Sequence, residues 1–365
     1  MDRKTVSSLF RWGVGLGLPL ALIALFEVCK GDRERMDGWV FGVMAPAEQA
    51  LGRLWSHLPF SAAEVLTALL LAGSALWLIR AVVLLVRRRE GRAFLRRLLA
   101  FGGAVLWLLA AVCWMWNAAY YASNFSQRSG LATGGYTVEE LSAVTAFFAR
   151  QAASLSDQVP REENGSFSRD IEAFFHQGPQ IYENLTREFP CLEMESVQAK
   201  PLLCSRLQSI LGFTGVYFPF TGEANVNVDA PACLIPATIA HEMSHQRMVA
   251  SELEANFVGI AACVTSDNTV FQYSGYLMGL IQLCNALYPV DPEGWNAIAA
   301  QYFTPQLSQD WQENNQYWAA LASPVEEAAE QAYDSFLKSN DQELGIRSYG
   351  ACVDLLVAYF GPGAS

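Results

Sequence analysis

Ile235-Pro-Ala-Thr-Ile-Ala-His241-Glu242-Met243-Ser244-His245-Gln246 is the stretch on which the reading of this chain turns. On a helix, residues four apart share a face, so His241 and His245 offer two imidazoles to one point while Glu242 stands beside them. Pro236 suits the first turn of such a helix, where a missing N–H leaves nothing unpaired. The chain has only 4 histidines, and two of them fall in this His-Glu-x-x-His pattern. With histidine so scarce, chance yields the pattern in well under about 1% of such sequences. The bland alternative is an amphipathic helix carrying two surface histidines. The pattern predicts a zinc ion held by His241 and His245, with Glu242 as general base.

A catalytic zinc takes three protein ligands and leaves the fourth position to water. His57 and His176 lie far away in sequence, which points to a carboxylate, and Ser251-Glu252-Leu253-Glu254-Ala255-Asn256 follows closely. On one straight helix Glu252 would stand about 10 Å beyond His245 along the axis. The chain must therefore bend between roughly Arg247 and Ser251, with a new helix starting at Glu252. Ser251 then serves as its cap and Glu254 as the third residue of a capping box. In that helix Asn256 shares a face with Glu252 and supports it as a hydrogen-bonding neighbour. Glu252 is thus the expected third ligand. Glu254 is the competitor, and both also read as first-turn acids favoured by the helix dipole.

Upstream, Gly215-Val-Tyr217-Phe218-Pro-Phe220 and Ala224-Asn-Val-Asn-Val-Asp229 flank Thr221-Gly222-Glu223, the pattern of a strand, a turn and a strand. Pro219 confines the first strand to an edge or an irregular position. An edge strand carrying Tyr217 and Phe218 beside a metal helix offers backbone groups to an extended peptide. An ordinary hairpin packed on the helix is the equal alternative.

Farther out, the chain divides in two. Residues 1–117 hold nearly all the long apolar runs and carry 14 Lys/Arg against 8 Asp/Glu, whereas residues 118–365 carry 10 against 28. Three segments match the ~20 residues a membrane-crossing helix needs: about 9–28, 62–86 and 98–116. Arg3, Lys4 and Arg11 open the first, and seven arginines from Arg80 to Arg97 cluster around the second connection. The positive-inside rule puts both stretches in the cytoplasm. The N-terminus is then inside, and the 118–365 domain lies outside the cytoplasm. Its acidity excludes nucleic acid as a partner, since phosphates demand a basic surface.

Helices are expected over Val138–Leu155, Ser168–Phe189, Phe257–Val264, Thr269–Leu287, Gly294–Phe303, Gln306–Ala322 and Val325–Lys338. The fold class is mostly α with a small β-sheet. The apolar run Phe271–Val290 is long enough to suggest a fourth span, but Gln272, Ser274, Gln282 and Asn285 favour a buried core helix. The 8 cysteines show no close Cys-x-x-Cys pairing, which argues against a cysteine zinc site. Cys191 with Cys204 is a candidate disulfide outside the cytoplasm, with free thiols as the alternative.

At these residues the chain resembles the gluzincin metallopeptidases, whose His-Glu-x-x-His helix is followed by a helix supplying a glutamate. Glu252-Leu-Glu-Ala-Asn256 is similar to the Glu-x-x-Ala-Asp motif of the CAAX prenyl endopeptidase family, with Asn256 in the place of the aspartate. A closer resemblance is to an uncharacterised bacterial family of membrane proteins with three N-terminal spans. It is carried by Phe218-Pro-Phe-Thr-Gly-Glu-Ala-Asn225, His241-Glu-Met-Ser-His-Gln-Arg247, Glu254-Ala-Asn256 and Arg347-Ser-Tyr349-Gly350. These resemblances imply N-terminal transmembrane helices followed by a zincin-like, gluzincin-type extracytoplasmic domain in a bacterial cell membrane. Arg347 and Tyr349 are candidates for stabilising the transition state, with helix-start packing as the competing role.

The expected function is a membrane-anchored zinc metallopeptidase acting on a peptide or protein at the outer face of the bilayer. The rival is a catalytically silent sensor or scaffold of the same fold that binds peptides, which Asn256 in the place of an acid favours. A small transporter ranks last, because the spans lack paired intramembrane ionisable residues.

Overall fold

A computed structural model describes residues 13–340, 342 and 349–361, the last group by backbone alone at 349–351. Two compact units emerge, Met1–Pro46 with Ala62–Ala122, and Ala47–Ser61 with Ser123–Ser365. Residues 47–61, in the connection between the first two apolar helices, group with the second unit, which resumes at Ser123. Buried polar groups hold them there. Lys200 Nζ donates to Trp55 O at 2.6 Å and to Phe60 O at 3.1 Å, and the Tyr217 hydroxyl donates to Glu48 Oε2 at 2.6 Å.

The first unit is built on the apolar helices α1 (Gly13–Cys29), α2 (Ala62–Val86) and α3 (Gly91–Tyr121). Among the described residues, α2 and α3 are long and apolar enough to cross a membrane, and α1 is shorter. The predicted first span begins at Leu9, outside the described residues. Apolar residues all round a helix leave many without a protein partner, and Leu69, Leu71, Leu76 and Ile79 of α2 are exposed. Helix α3 meets α1 at Gly103, where a Cβ would lie 2.6 Å from Gly15 O. Nearby the Trp114 indole donates to Leu22 O at 3.0 Å.

The second unit is mostly helical around one small sheet. Its strands β1 (Lys200–Pro201), β2 (Gly215–Phe218) and β3 (Glu223–Val226) lie in the order β1-β3-β2. β1 runs parallel to β3, and β2 pairs antiparallel with β3, Gly215 opposite Val226 and Phe218 opposite Glu223. β2 is thus an edge strand, as Pro219 predicts, because proline cannot donate to a further ladder. The tight turn between β2 and β3 uses Gly222 at φ +65°, a left-handed conformation that glycine adopts without a Cβ penalty.

The helices that position the site are α4 (Phe125–Ser129), α5 (Val138–Leu155), α6 (Ile235–His245), α7 (Glu252–Thr265), α8 (Thr269–Leu287), α9 (Pro324–Ser339) and α10 (Tyr349–Phe360). α5 starts at a capping box of Thr137 and Glu140, and α8 at Asn268, whose side chain accepts from Val270 and Phe271 N–H. α8 packs on α5 and α7 and buries Phe271, Tyr273, Leu277, Leu280 and Leu283 completely. It is therefore a core helix, not a fourth span. One long helix over Ser168–Phe189 is not formed; it breaks into Ile171–Gln177, a 3-10 turn at Gly178–Gln180 and Glu183–Glu188. Pro179 removes an N–H and crowds the preceding turn. All 8 cysteines are free thiols, so the Cys191–Cys204 bridge is not made.

Candidate metal centre

α6 ends at His245, and the chain turns through Gln246–Ser251 before α7 begins at Glu252. Met248 takes φ +57° in this turn, a strained conformation for a residue with a Cβ. The turn is braced from outside. Arg128 of α4 donates to Arg247 O at 3.3 Å and to Met248 O at 3.4 Å. α7 then returns close along α6, since a Cβ at Gly259 would lie 2.8 Å from His241 N. A glycine inside a helix costs stability relative to alanine, and here it permits that approach.

The bend brings together the three residues that the sequence puts forward as ligands. Potential ligand atoms of His241, His245 and Glu252 all lie within 4.8 Å of one another. His241 Nε2 stands 3.2 Å from Glu252 Oε2, and His245 Nε2 stands 3.8 Å from Glu252 Oε1. Bonds near 2.1 Å to a tetrahedral zinc ion set ligand atoms about 3.4 Å apart, so this two-nitrogen, one-carboxylate set fits the ion.

Supporting contacts orient the set. His245 Nδ1 lies 2.7 Å from Val249 O, which assigns its proton to Nδ1 and leaves the Nε2 lone pair facing the site. Burial lowers the His245 pKa to about 4, against the opposing pull of Glu252, so the ring is neutral at pH 7. For His241 burial also acts downward but is outweighed by the hydrogen bond and charge of Glu252, with Glu242 and Asn256 adding to the upward shift. Burial would raise the Glu252 carboxyl, yet the His241 hydrogen bond, both imidazoles and the Tyr333 hydroxyl bring it down to about 2. Tyr333, on α9, donates to Glu252 Oε1, and its ring meets Phe213 edge-on at 5.6 Å.

Glu242 points toward the sheet. A Cβ at Gly215 would lie 2.4 Å from Glu242 Oε1, so only glycine fits at the start of β2. Glu242 Oε2 is buried and has no hydrogen-bond partner among the described residues. Burial lifts its carboxyl to about 8, with His241 pulling it down and Glu252 pushing it up. Thr214 O accepts from Asn227 N at 2.9 Å, and the antiparallel alternation from that pair turns the backbone groups of Gly215 and Tyr217 away from β3. A buried, unpaired carboxyl group thus stands beside an edge strand and the His241, His245 and Glu252 set.

Of the other sequence-derived candidates, Glu254 is placed elsewhere. It is buried and accepts from Phe125 N at 2.8 Å, Ser126 N at 2.9 Å and Ser126 Oγ at 2.9 Å, anchoring the start of α4. The Ser251–Glu254 capping box is accordingly not made, and Ser251 caps α7 without a side-chain bond. Asn256 lies beside Glu252 on the wall of a groove of about 360 Å³. Tyr217 is buried, its ring 6.4 Å from that of His245, so what it turns outward is backbone and not side chain. Phe218 is half-buried and stacks edge-on against Phe220. Arg347 lies outside the described residues, and Tyr349 begins α10 with its side chain undescribed.

Sequence reasoning missed Tyr333 and Glu48. Both sit far from the motif, on ordinary amphipathic helices, with no local pattern that marks them.

Residues 41–357 match the model of the family described as "Protein of unknown function (DUF3810)", and the chain belongs to that family. No curated protein and no solved structure matches it.

Proposed function

We propose that this family member is a membrane-anchored zinc metallopeptidase whose ion is held by His241, His245 and Glu252. The observation that carries the reading is the buried Glu242 carboxylate with an unpartnered Oε2 beside a two-histidine, one-glutamate set. A zinc ion held there would supply a water of lowered pKa, polarise a carbonyl and, by its charge, favour the ionised form of Glu242. Glu242 takes a proton at its carboxylate and passes it to the leaving amine. Gly215 leaves room for that carboxylate, and β2 offers backbone groups against which an extended peptide aligns as an added strand. His245 Nδ1 is held by Val249 O, which keeps the ring from turning as charge develops.

The arginine-rich connection between α2 and α3 puts that loop in the cytoplasm and the metal-bearing unit outside, so the substrate is a peptide or protein at the outer face of the bilayer. The rival reading, a peptide-binding protein without hydrolysis, draws on one observation. His241 Nδ1 has no hydrogen-bond partner among the described residues, and Asn256 stands at the sequence position where the similar peptidase motif carries an acid.

The test is the full chain in detergent micelles, assayed for bound metal by mass spectrometry and for cleavage of a broad peptide library, wild type against Glu242→Gln. Expected are one zinc per chain in both proteins and cleavage reduced at least about 100-fold in the variant. Zinc with no cleavage by the wild type favours the binding reading, and absence of zinc overturns both.

A further inference from the structure

Residues 47–61 lie between α1 and α2 in the sequence, yet they are seated on the hairpin beside the metal set. Two glycines make the closest contact. A Cβ at Gly52, in the helix Ala45–Trp55, would lie 2.9 Å from Gly222 O, and a Cβ at Gly222 would lie 2.8 Å from Gly52 N. Backbone therefore packs directly on backbone, and neither position has room for a side chain. Lys200 then holds Trp55 O and Phe60 O, and α2 begins at Ala62. A shift of α2 along its axis reaches the segment through the Ser61–Ala62 peptide bond.

Two contacts run on from this seat to the metal ligands. The Tyr217 hydroxyl donates to Glu48 Oε2 at 2.6 Å, while its ring lies 6.4 Å from that of His245. Gln246, the residue after His245, donates from Nε2 to Gly222 O at 3.3 Å. Tyr217 and Gln246 thus each link the seat to His245 in a single step. The seat is also incompletely satisfied. Glu48 Oε1 and Trp55 Nε1, both on the seated helix, are shut off from solvent with no hydrogen-bond partner among the described residues. Each opposes seating, since release of the helix would return it to water. Attachments and orphaned atoms pull in opposite directions, so a modest bias moves the balance.

We propose that residues 47–61 are a coupling segment: zinc held by His241, His245 and Glu252 and the seating of this segment on Gly222 favour each other. The inference rests on the zinc part of the peptidase reading and not on hydrolysis. Zinc that fixes the His245 ring narrows the positions open to Tyr217 and Gln246, and those are the positions that meet the seated helix. Linkage makes the effect reciprocal. Metal occupancy tightens the seat, and a pull on α2 that opens the seat weakens metal binding by the same factor.

The test reads hydrogen exchange by mass spectrometry and zinc affinity by competition with a fluorescent chelator, both on the full chain in detergent micelles. Expected in the wild type is exchange across residues 47–58 slowed at least about fivefold by saturating zinc, with α8 unchanged. Gly52→Leu keeps a good helix former but blocks the seat. It should raise the zinc dissociation constant by that same factor and abolish the zinc effect on exchange. Tyr217→Phe leaves the backbone packing intact and should move both readouts the same way by a smaller factor. Leu54→Ala, on the exposed face of the same helix, should move neither.

Exchange across residues 47–58 that is equal with and without zinc, in a chain that binds zinc, overturns the coupling and leaves the zinc reading standing. So does a slowing shared equally by α8, which is global stabilisation by a bound ligand. A Gly52→Leu chain that keeps α8 protected and binds zinc as tightly as wild type also overturns it. If Gly52→Leu loses protection in α8, it has unfolded, and the wild-type exchange with Tyr217→Phe decides. A chain that binds no zinc removes both readings.

Discussion

On the hairpin side of the His241, His245 and Glu252 set, Lys200, Glu223 and Tyr217 are sunk into the fold and paired; on the α9 side Glu326 and Glu330 line open space. Lys200 and Glu223 are almost fully buried and 2.6 Å apart, and the three donors of the ammonium meet Glu223, Trp55 O and Phe60 O. Glu48, also buried, accepts the Tyr217 hydroxyl. Across the site, Glu326 and Glu330 have no such partners among the described residues and line the groove. Buried charges persist in folds only where partners match their hydrogen-bonding capacity. The hairpin side is therefore scaffold that fixes β2 and Glu242, and the α9 side is where a ligand has room.

The largest break in this comparison comes from Lys200→Met. It leaves the Glu223 carboxylate buried with no counter-charge, and the expected loss is about 3–5 kcal/mol of stability, read from the denaturant midpoint by tryptophan fluorescence. Adding Glu223→Leu should restore much of the loss, because the uncompensated charge goes with it. A single variant as stable as wild type would show that the hairpin side is not the closed scaffold described.

A smaller effect is expected on the opposite wall. Tyr333→Phe removes the hydroxyl that donates to Glu252 and should weaken zinc affinity about 10–100-fold in a competition with a fluorescent chelator. Unchanged affinity would reduce Tyr333 to packing against Phe213.

The smallest effect separates the two sides by pH. Burial raises the Glu48 carboxyl to about 8, against a pull downward from the Tyr217 hydrogen bond, whereas its ordinary value is 4.5. Between those values the folded chain holds a proton that the unfolded chain has released, so stability falls as pH rises through this window. Glu48→Gln should flatten that fall in a series of melting curves from pH 4.5 to 8.5 and give a higher melting temperature at the upper end. Parallel curves for the two proteins would mean that Glu48 is ionised throughout.

Much of the metal set is legible in local sequence. The spacing of His241 and His245 is a helix periodicity, and the distance to Glu252 demands a bend that no other arrangement of a straight chain supplies. The span pattern and the hairpin with its edge strand are also local, since hydropathy, proline and glycine act within a few residues. The misreading of Glu254 has a long-range cause. Glu254 reads as a capping residue two positions past Glu252, but it is engaged by Phe125 and Ser126, about 128 positions away.

The sequence by itself determined the elements whose causes are short in range: α6 with its two imidazoles, the turn before Glu252, the β2–β3 hairpin and the apolar helices. Tertiary structure alone decided which of two neighbouring glutamates faces the imidazoles, that Tyr333 supports it, that residues 47–61 belong with the second unit, and that Glu326 and Glu330 border the same groove. Those outcomes depend on which buried donors and acceptors remain to be satisfied once the helices pack. That demand is set by the whole fold and leaves no periodic trace in the chain.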